Sequence, residues 1–278
     1  MLFSVAMCVW KGDDTELFTI ASNSILSQSL LPNQIVLVVD GEVDDELNSK
    51  ISCFEDEATI LGITFTLFRF ENNVGHGSAR RKSLDLCLND YVAICDADDL
   101  NVDIRFEKQM RFMENNPVIS VVGGYIEEYS DFSSPLVKPL KRTVPTESEQ
   151  IAEYSKTRCP MNQMSVMFKK EDIQAVGGYR DFYHNEDYYL WCRLLLAGKN
   201  MANIPEVLVK AAVSSATYER RGGKSYFVSE MKIQLFMLRN GMISVVRFGF
   251  NSIVRFILQI VITDKFRKLI FNRFLREK

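Results

Sequence analysis

This chain of 278 residues has few histidines, no closely paired cysteines and only a small net charge. It has two histidines, and none of its six cysteines forms a CxxC pair, so neither a zinc site nor a disulfide framework is indicated. The net charge of −3 gives no reason to expect a nucleic-acid partner. The first residues, MLFSVAMCVWKGDD, lack the basic and long apolar segments of a signal peptide, and we expect a cytoplasmic chain.

Apolar, β-branched runs alternate with helical patterns through the first part of the chain. Strands are predicted at Leu2–Trp10, Gln34–Val39, Ile63–Phe70, Tyr91–Cys95 and Val118–Val122, and helices at Thr15–Leu30, Glu46–Ala58, Ser78–Leu88 and Arg105–Glu114. This alternation predicts right-handed crossovers and an α/β fold, with a mainly parallel sheet covered by helices on both faces. Such sheets bind ligands beyond the carboxyl ends of their strands, and we expect functional residues there.

The pattern becomes less regular after Tyr125, where prolines stand in a polar stretch. Further elements are predicted as a helix near Glu147–Lys156, a strand near Met164–Phe168, a helix at Glu186–Ala197, and short strands near Met201–Ile204 and Val207–Ala212. Asn185 is the expected cap of the helix that begins at Glu186.

An acidic cluster of Asp96, Asp98 and Asp99 directly follows the apolar run Tyr91–Cys95. Three carboxylates crowded at the end of a buried strand are costly without a cation. Asp96 and Asp98 could reach different parts of one ligand, a sugar or ribose hydroxyl and a divalent ion that bridges to a diphosphate. The alternative is a solvated loop in which Asp99 or Asn101 caps the next helix.

Two more polar groups stand at strand ends on the same predicted edge. Asp40 follows the strand that ends at Val39, where its oxygens could accept the N3 hydrogen of uracil; a plain Asp-Gly turn is the alternative. The loop ENNVGHGSARR (71–81) has two glycines that allow close backbone approach and a basic pair, Arg80 and Arg81, that could face a diphosphate. A surface pair of arginines is the alternative there.

Paired carboxylates also begin a later helix. Glu186 and Asp187 follow Asn185 at a helix start, whose positive end favours an ionised carboxylate, the form that a general base needs. Complementarity with the helix dipole alone is the alternative. Trp191, one turn further, is expected in the core rather than as a platform for a sugar.

Five motifs follow one another in an order that resembles the family 2 glycosyltransferases with the GT-A fold. The motifs are SVAMCVWKGDD (4–14), IVLVVDG (35–41), ENNVGHGSARR (71–81), AICDADD (93–99) and NEDYYLWCRL (185–194). The tract YERRGGKSY (218–226) is similar to that of amylovoran-type and O-antigen biosynthesis glycosyltransferases. The resemblance implies a Rossmann-like catalytic domain at 1–240, with a nucleotide-sugar half (1–125) and an acceptor half (126–240), and a basic amphipathic helical tail at 241–278.

The resemblance also implies roles for individual residues. The donor pocket is expected to comprise Val9, Trp10, Asp40, Asn73, Arg80, Asp96, Asp98, Arg220 and Arg221. Within it, Asp40 would contact uracil, Asp96 the ribose or sugar, and Asp98 a Mn²⁺ or Mg²⁺ ion. The family's general base falls on Asp187, with Glu186 and His184 near the acceptor; for His184 a local packing role is the alternative. The chain departs from the family pattern at Val9-Trp10, where many members have Pro-Tyr or Ala-Tyr, and it lacks a later histidine as a third metal ligand.

The implied reaction is a single inverting displacement. It would move a hexose, glucose or galactose, from a UDP-sugar to a saccharide acceptor on a polyprenyl diphosphate in O-antigen or exopolysaccharide synthesis, forming a β-linkage. Arg220 and Arg221 precede two glycines and suit a loop that closes over the diphosphate, with a basic surface turn as the alternative. A nucleotidyltransferase would need a basic glycine-rich loop that Cys8–Asp14 does not supply; a non-catalytic sugar-nucleotide or membrane-binding module is the other alternative.

The last part of the chain is both apolar and basic. Residues 243–262 are strongly apolar, but Arg247, Asn251, Arg255 and Gln259 recur every four residues and would form one polar stripe on a helix. Two arginines within this stretch argue against a membrane span. Eight basic and two acidic residues between 247 and 278 favour an interfacial helix on the inner face of the cell membrane. Packing on the catalytic domain or on another subunit is the alternative.

Overall fold

The computed structural model describes residues 1–132, 139–182, 184–213 and 222–262. Arg220 and Arg221, which are predicted to close over a diphosphate, lie outside the described residues. The same holds for the basic segment 263–278.

One sheet of nine strands is formed by the described residues. The strands are β1 (Phe3–Val9), β2 (Gln34–Val39), β3 (Thr64–Arg69), β4 (Tyr91–Asp96), β5 (Leu100–Asn101), β6 (Ile119–Tyr129), β7 (Leu140–Arg142), β8 (Met167–Lys169) and β9 (Asn200–Ala212). Their order is β3-β2-β1-β4-β8-β6-β9-β5, with β7 paired to β6. The first four strands of the chain are parallel, as are β6 and β9, whereas β5, β7 and β8 run antiparallel to their neighbours. The predicted α/β fold with a mainly parallel sheet is confirmed.

Helices cover both faces of this sheet. They are α1 (Thr15–Leu26), α2 (Asp45–Ile60), α3 (His76–Leu86), α4 (Arg105–Asn115), α5 (Ser148–Ser155), α6 (Lys170–Ala175), α7 (Glu186–Leu196), α8 (Gly223–Arg239) and α9 (Val245–Phe256), and a π-helical turn (Ile257–Val261) follows α9. Successive residues of a strand belong to different cores, because their side chains point to opposite faces of the sheet. Met7 belongs to the core that includes Phe18 of α1, and Ala6 to the core that includes Trp191 of α7.

A single long strand replaces the two short strands predicted on either side of Pro205. β9 pairs with β6 along its length, and register shifts occur around Gly124 and Tyr125, opposite Ile204 and Val207. A proline favours a break in the sequence pattern because it cannot donate a backbone hydrogen bond. In the folded chain the irregular pairing accommodates Pro205. β6 extends to Tyr129 because it pairs with β9 as far as this residue.

The predicted helix caps use their side chains for long-range contacts instead. Asn185 does precede α7, but its Nδ2 donates to the hydroxyl of Ser229 in α8 at 3.0 Å. The alternative in which Asp99 caps the next helix is wrong, because α4 begins after Ile104 and Asp99 accepts from the backbone N–H of Ala212 at 2.9 Å. These bonds attach α7 to α8 and the acidic cluster to β9.

The helix α9 packs with its polar side inward. Asn251 donates to the backbone oxygen of Lys156, after α5, and to Oε1 of Gln234 in α8, both at 2.8 Å. Arg255 donates to Oε2 of Glu230 in α8 at 2.6 Å. The predicted polar stripe is therefore, at these positions, the face that packs on the rest of the protein. Within the ranges described, none of the helices is long and apolar enough to cross a bilayer.

Replacing Arg255 by Met should lower the free energy of unfolding by about 3–5 kcal/mol, because the buried carboxylate of Glu230 loses its partner. The double variant Glu230→Leu/Arg255→Met should regain much of this loss, since no charge then stays buried. Urea unfolding followed by circular dichroism measures both. The control is Arg247→Met on the same helix, whose side chain is 40% exposed and 3.6 Å from Glu153, and which should cost less than about 1 kcal/mol. Equal losses in the two single variants would contradict this account of the packing.

Candidate active site

Neighbouring strand ends bring two of the predicted carboxylates to one edge of the sheet. β1 and β2 pair Val9 with Val39, and the backbone N–H of Asp40 donates to the carbonyl of Val9 at 2.8 Å. β1 and β4 pair Cys8 with Asp96. Asp40 and Asp96 therefore flank the end of β1 at the carboxyl edge of the parallel strands, where open α/β sheets bind ligands.

Val9 and Trp10 present different groups to this edge. The side chain of Val9 is buried in the core, so Val9 can contact a ligand only through its backbone. Trp10 is 43% exposed, and its indole lies over Gly12, where an added Cβ would come within 2.3 Å of the ring. The backbone N–H of Trp10 donates to Oδ2 of Asp13 at 2.9 Å and holds this turn. The exposed indole offers a planar surface in the turn that follows β1.

Asp40 is buried and organises the loop between β3 and α3. Its carboxylate accepts from the backbone N–H groups of Val74 at 2.7 Å and Gly75 at 3.1 Å, and from Nδ2 of Asn73 at 3.0 Å. Gly41, with a φ of 89°, lies so close to this loop that an added Cβ would be 2.9 Å from the backbone N of Asn73. The Asp-Gly pair is thus more than a turn, because it fixes the position of the exposed Asn73.

The buried guanidinium of Arg80 joins carboxylates from two distant parts of the chain. Its Nη2 donates to Oδ1 of Asp96 at 2.8 Å, and its Nη1 donates to Oε1 of Glu186 at 2.7 Å. Burial lowers the pKa of Arg80, but the charges of Asp96 and Glu186 outweigh this effect, so its pKa is raised. The alternative of a surface arginine pair is wrong for Arg80, whereas Arg81 is exposed.

Asp187 is half-buried in the first turn of α7. Its Oδ1 accepts from the backbone N–H of Tyr188 at 2.7 Å, and its Oδ2 lies 3.7 Å from Sγ of Cys159. Burial raises the pKa of Asp187 and outweighs the lowering by Arg80, by the backbone hydrogen bond and by Arg142. Desolvation therefore works against the ionisation that the helix end was expected to favour. Cys159 and Arg142 are neighbours that no sequence motif indicates.

Glu186 and His184, the predicted acceptor residues, have different surroundings. Glu186 is buried, and burial raises its pKa more than Arg80 lowers it. His184 is exposed and has a φ of 61°, the one positive φ at a non-glycine position within the described ranges. Its ring centroid lies 6.0 Å from that of Tyr226 in α8. Uncommon backbone conformations of this kind cluster at functional sites.

The other two members of the acidic cluster differ in burial and in bonding. Asp99 is buried and bonded to β9, and Asp98 is half-buried. Burial first, and then the charges of Asp98 and Asp96, raise the pKa of Asp99 well above its ordinary value.

A divalent ion fits the chemistry of this cluster. Carboxylate oxygens are preferred ligands of Mg²⁺ and Mn²⁺, and a cation would relieve the repulsion that, after burial, raises the pKa of Asp99. No group of three His, Cys, Asp or Glu side chains in the part of the chain described is arranged to hold a metal.

Comparison with known proteins identifies the relatives of this chain. Residues 4–174 match the family model described as glycosyl transferase family 2. The chain is 35% identical over 274 residues, 99% of its length and 96% of the relative's, to an Escherichia coli protein named UDP-Gal:alpha-D-GlcNAc-diphosphoundecaprenol beta-1,3-galactosyltransferase. It is 31% identical over 238 residues, 86% of its length and 85% of the relative's, to the amylovoran biosynthesis glycosyltransferase AmsE of Erwinia amylovora.

A solved structure shares the fold at low sequence identity. The mannosyltransferase PcManGT from Pyrobaculum calidifontis, in complex with GDP-Man and Mn²⁺, matches with a TM-score of 0.65 over 93% of this chain and 70% of that one, at 15% identity. The family match covers more than half of the chain and includes four of the five motifs in full. The predicted resemblance is confirmed: this chain belongs to glycosyl transferase family 2 and has the GT-A fold.

Proposed function

We propose that this protein is an inverting glycosyltransferase that moves a hexose from a UDP-sugar to a saccharide on a polyprenyl diphosphate, in O-antigen or exopolysaccharide synthesis. The observation that carries the proposal is the bridge by Arg80, which joins Asp96 at the donor edge to the helix start that bears Asp187. The Escherichia coli relative, by its name, takes galactose from UDP-Gal to a GlcNAc-diphosphate lipid. Because the two chains align over nearly their whole lengths, galactose is the preferred hexose and glucose the second.

In the proposed donor complex, uridine lies against the edge formed by Trp10, Asp40 and Asn73. The indole of Trp10 provides a planar surface for the base. A carboxylate has about four acceptor positions, of which Asp40 uses three on its own loop, so one remains for the N3 hydrogen of uracil. Asp96 accepts from a ribose or sugar hydroxyl while its Oδ1 is held by Arg80.

In this proposal the diphosphate lies beside the acidic cluster. Asp98 would hold a Mn²⁺ or Mg²⁺ ion, whose charge would stabilise the departing diphosphate. Arg220 and Arg221, outside the described residues, are proposed to contact the same group. Arg80 acts here as a positioning residue, because its buried guanidinium sets the separation between Asp96 and the start of α7.

Asp187 is the proposed general base. Its carboxylate accepts the proton of the acceptor hydroxyl as that oxygen attacks the anomeric carbon, and the electron pair of the breaking bond leaves with UDP. A single displacement inverts the anomeric centre, so an α-linked UDP-sugar gives a β-linkage. The pKa of Asp187 is raised toward neutral pH, and a general base is most effective when its pKa is near the working pH. Glu186 and His184 are proposed to border the acceptor.

The proposed acceptor is attached to a membrane lipid, which places the enzyme at the inner face of the cell membrane. The tail (241–278) is proposed to hold it there as a peripheral protein.

The proposed donor half (1–125) and acceptor half (126–240) share β6, since this strand runs from Ile119 to Tyr129.

Asp187→Asn should lower kcat by about 10²–10⁴-fold, because an amide cannot take the hydroxyl proton. Transfer from UDP-galactose to a synthetic GlcNAc-diphosphate lipid measures kcat, and NMR of the product gives its anomeric configuration. UDP binding by calorimetry should be unchanged. The control is Glu171→Gln, which removes an acid from the first turn of α6. Wild-type turnover in Asp187→Asn would exclude Asp187 as the general base.

The pH profile tests the same group in the active enzyme. A base must be deprotonated, so kcat should fall as the pH decreases through the pKa of Asp187, which lies above the ordinary value of 3.8. Since Arg142 lowers this pKa, Arg142→Met should move the acidic limb to higher pH. An unmoved limb would show that another group is being titrated.

Arg80→Lys should lower kcat/KM for the UDP-sugar by about 10²-fold, because an ammonium group cannot hold both carboxylates in place. The matched control is Arg81→Lys, the exposed neighbour on α3, which should behave as wild type. Circular dichroism confirms that both variants are folded. Equal effects of the two substitutions would rule out a positioning role.

Asp98→Asn should abolish the Mn²⁺-dependent part of UDP binding, measured by calorimetry, together with metal-dependent transfer. The control is Asp103→Asn, an exposed acid five residues further along the chain. Full wild-type transfer in the presence of a chelator would exclude the metal role.

A further inference from the structure

The helix α9 and the turn after it expose an apolar face to solvent. Val246 is 83% exposed, Phe250 64%, Ile253 62% and Val261 61%, and Ile257 is also exposed. Positions 246, 250, 253 and 257 follow the spacing of one helix face. A surface helix ordinarily turns such a face toward the core, so the arrangement is inverted.

The packing of the opposite face keeps this surface exposed. Asn251 and Arg255 are buried, and Arg255 is bonded to Glu230 of α8 and, at 2.6 Å, to the backbone oxygen of Thr157. Turning the apolar side inward would break the ion pair and leave both charges without partners. The exposed face, defined here by Val246, Phe250 and Ile253, is therefore built into the fold.

This face belongs to a basic part of the sequence. The next residues in the sequence, 263–278, include six basic and two acidic residues, a net charge of +4. At the start of α9, a depression of about 420 Å³ is lined by apolar side chains and Ser244 together with Lys156, Arg247 and Glu153, whose charges sum to +1. An apolar helix face in a basic part of the chain is complementary to an anionic lipid surface.

We propose that the exposed face of α9 inserts into the headgroup region of an anionic membrane, with the helix axis parallel to the surface. The helix has 12 residues and is about 18 Å long, well short of the roughly 30 Å hydrocarbon core. It therefore lies in the interface and does not cross it. This inference rests on the proposed function, which assigns membrane attachment to residues 241–278, and it deepens that proposal by naming the face that makes the contact.

The test is flotation of the full chain with vesicles of phosphatidylcholine, alone or mixed with phosphatidylglycerol. Wild type should float with the anionic vesicles, and high salt should weaken the binding. The triple variant Val246→Ser/Phe250→Ser/Ile253→Ser should lower the partition coefficient more than about tenfold. The matched control is Ile60→Ser/Leu88→Ser/Val118→Ser, which removes three side chains that are at least as exposed elsewhere on the protein and should float as wild type.

Other occupants of the face predict other outcomes. If the triple variant floats as wild type, the face is not the membrane contact and the inference is overturned. If wild type is a dimer by light scattering and the triple variant a monomer, a second copy covers the face, which also overturns it. The triple variant should keep wild-type transfer to a short water-soluble acceptor and lose transfer to an acceptor in vesicles. Absence of any transfer by wild type would defeat the proposed function and leave the flotation result to decide the inference.

Discussion

The guanidinium of Arg80 connects the end of β4 to the start of α7, two parts of this protein that are not joined by strand pairing. Asp96 ends a strand of the parallel part, and Glu186 begins a helix 90 residues later; Arg80 bonds both. Because all three groups are largely shielded from water, each charge depends on the others for its stabilisation. Arg80 therefore helps to set the separation between the donor edge and the proposed base, together with the core packing of Trp191 in α7 against the sheet.

The same shielding from water sets the chemistry of the neighbouring acids. At the start of α7, the helix end and Arg80 favour ionised carboxylates, but desolvation is the larger effect and raises the pKa values of both Glu186 and Asp187. Glu186 remains engaged by Arg80, whereas Asp187 contacts a backbone N–H and the thiol of Cys159. Two adjacent acids thus acquire different functions, one as a structural partner and the other as the proposed base.

Burial also distinguishes the candidate site from α9. At the carboxyl edge of the parallel strands, Asp40 is buried and is held by hydrogen bonds from the loop that ends at Gly75. In α9, the buried polar groups are used for packing on α8, and apolar side chains remain exposed to solvent. The polar surface at the strand edge suits the proposed nucleotide-sugar, and the apolar face of α9 suits the proposed membrane contact.

Local patterns in the sequence were sufficient to predict the fold class and most helices and strands of the first 125 residues. They also predicted that Asp40 and Asp96 lie at the same edge of the sheet. Strand and helix periodicities are local, and parallel strands bring their carboxyl ends to one edge. Tertiary structure alone decided which groups Arg80 bonds, that β9 is one strand across Pro205, that Asp99 bonds β9 rather than capping α4, and that the polar stripe of α9 faces inward. The physical reason is that hydrogen-bond partners and desolvation depend on residues that are far apart in the chain and become neighbours only when it folds.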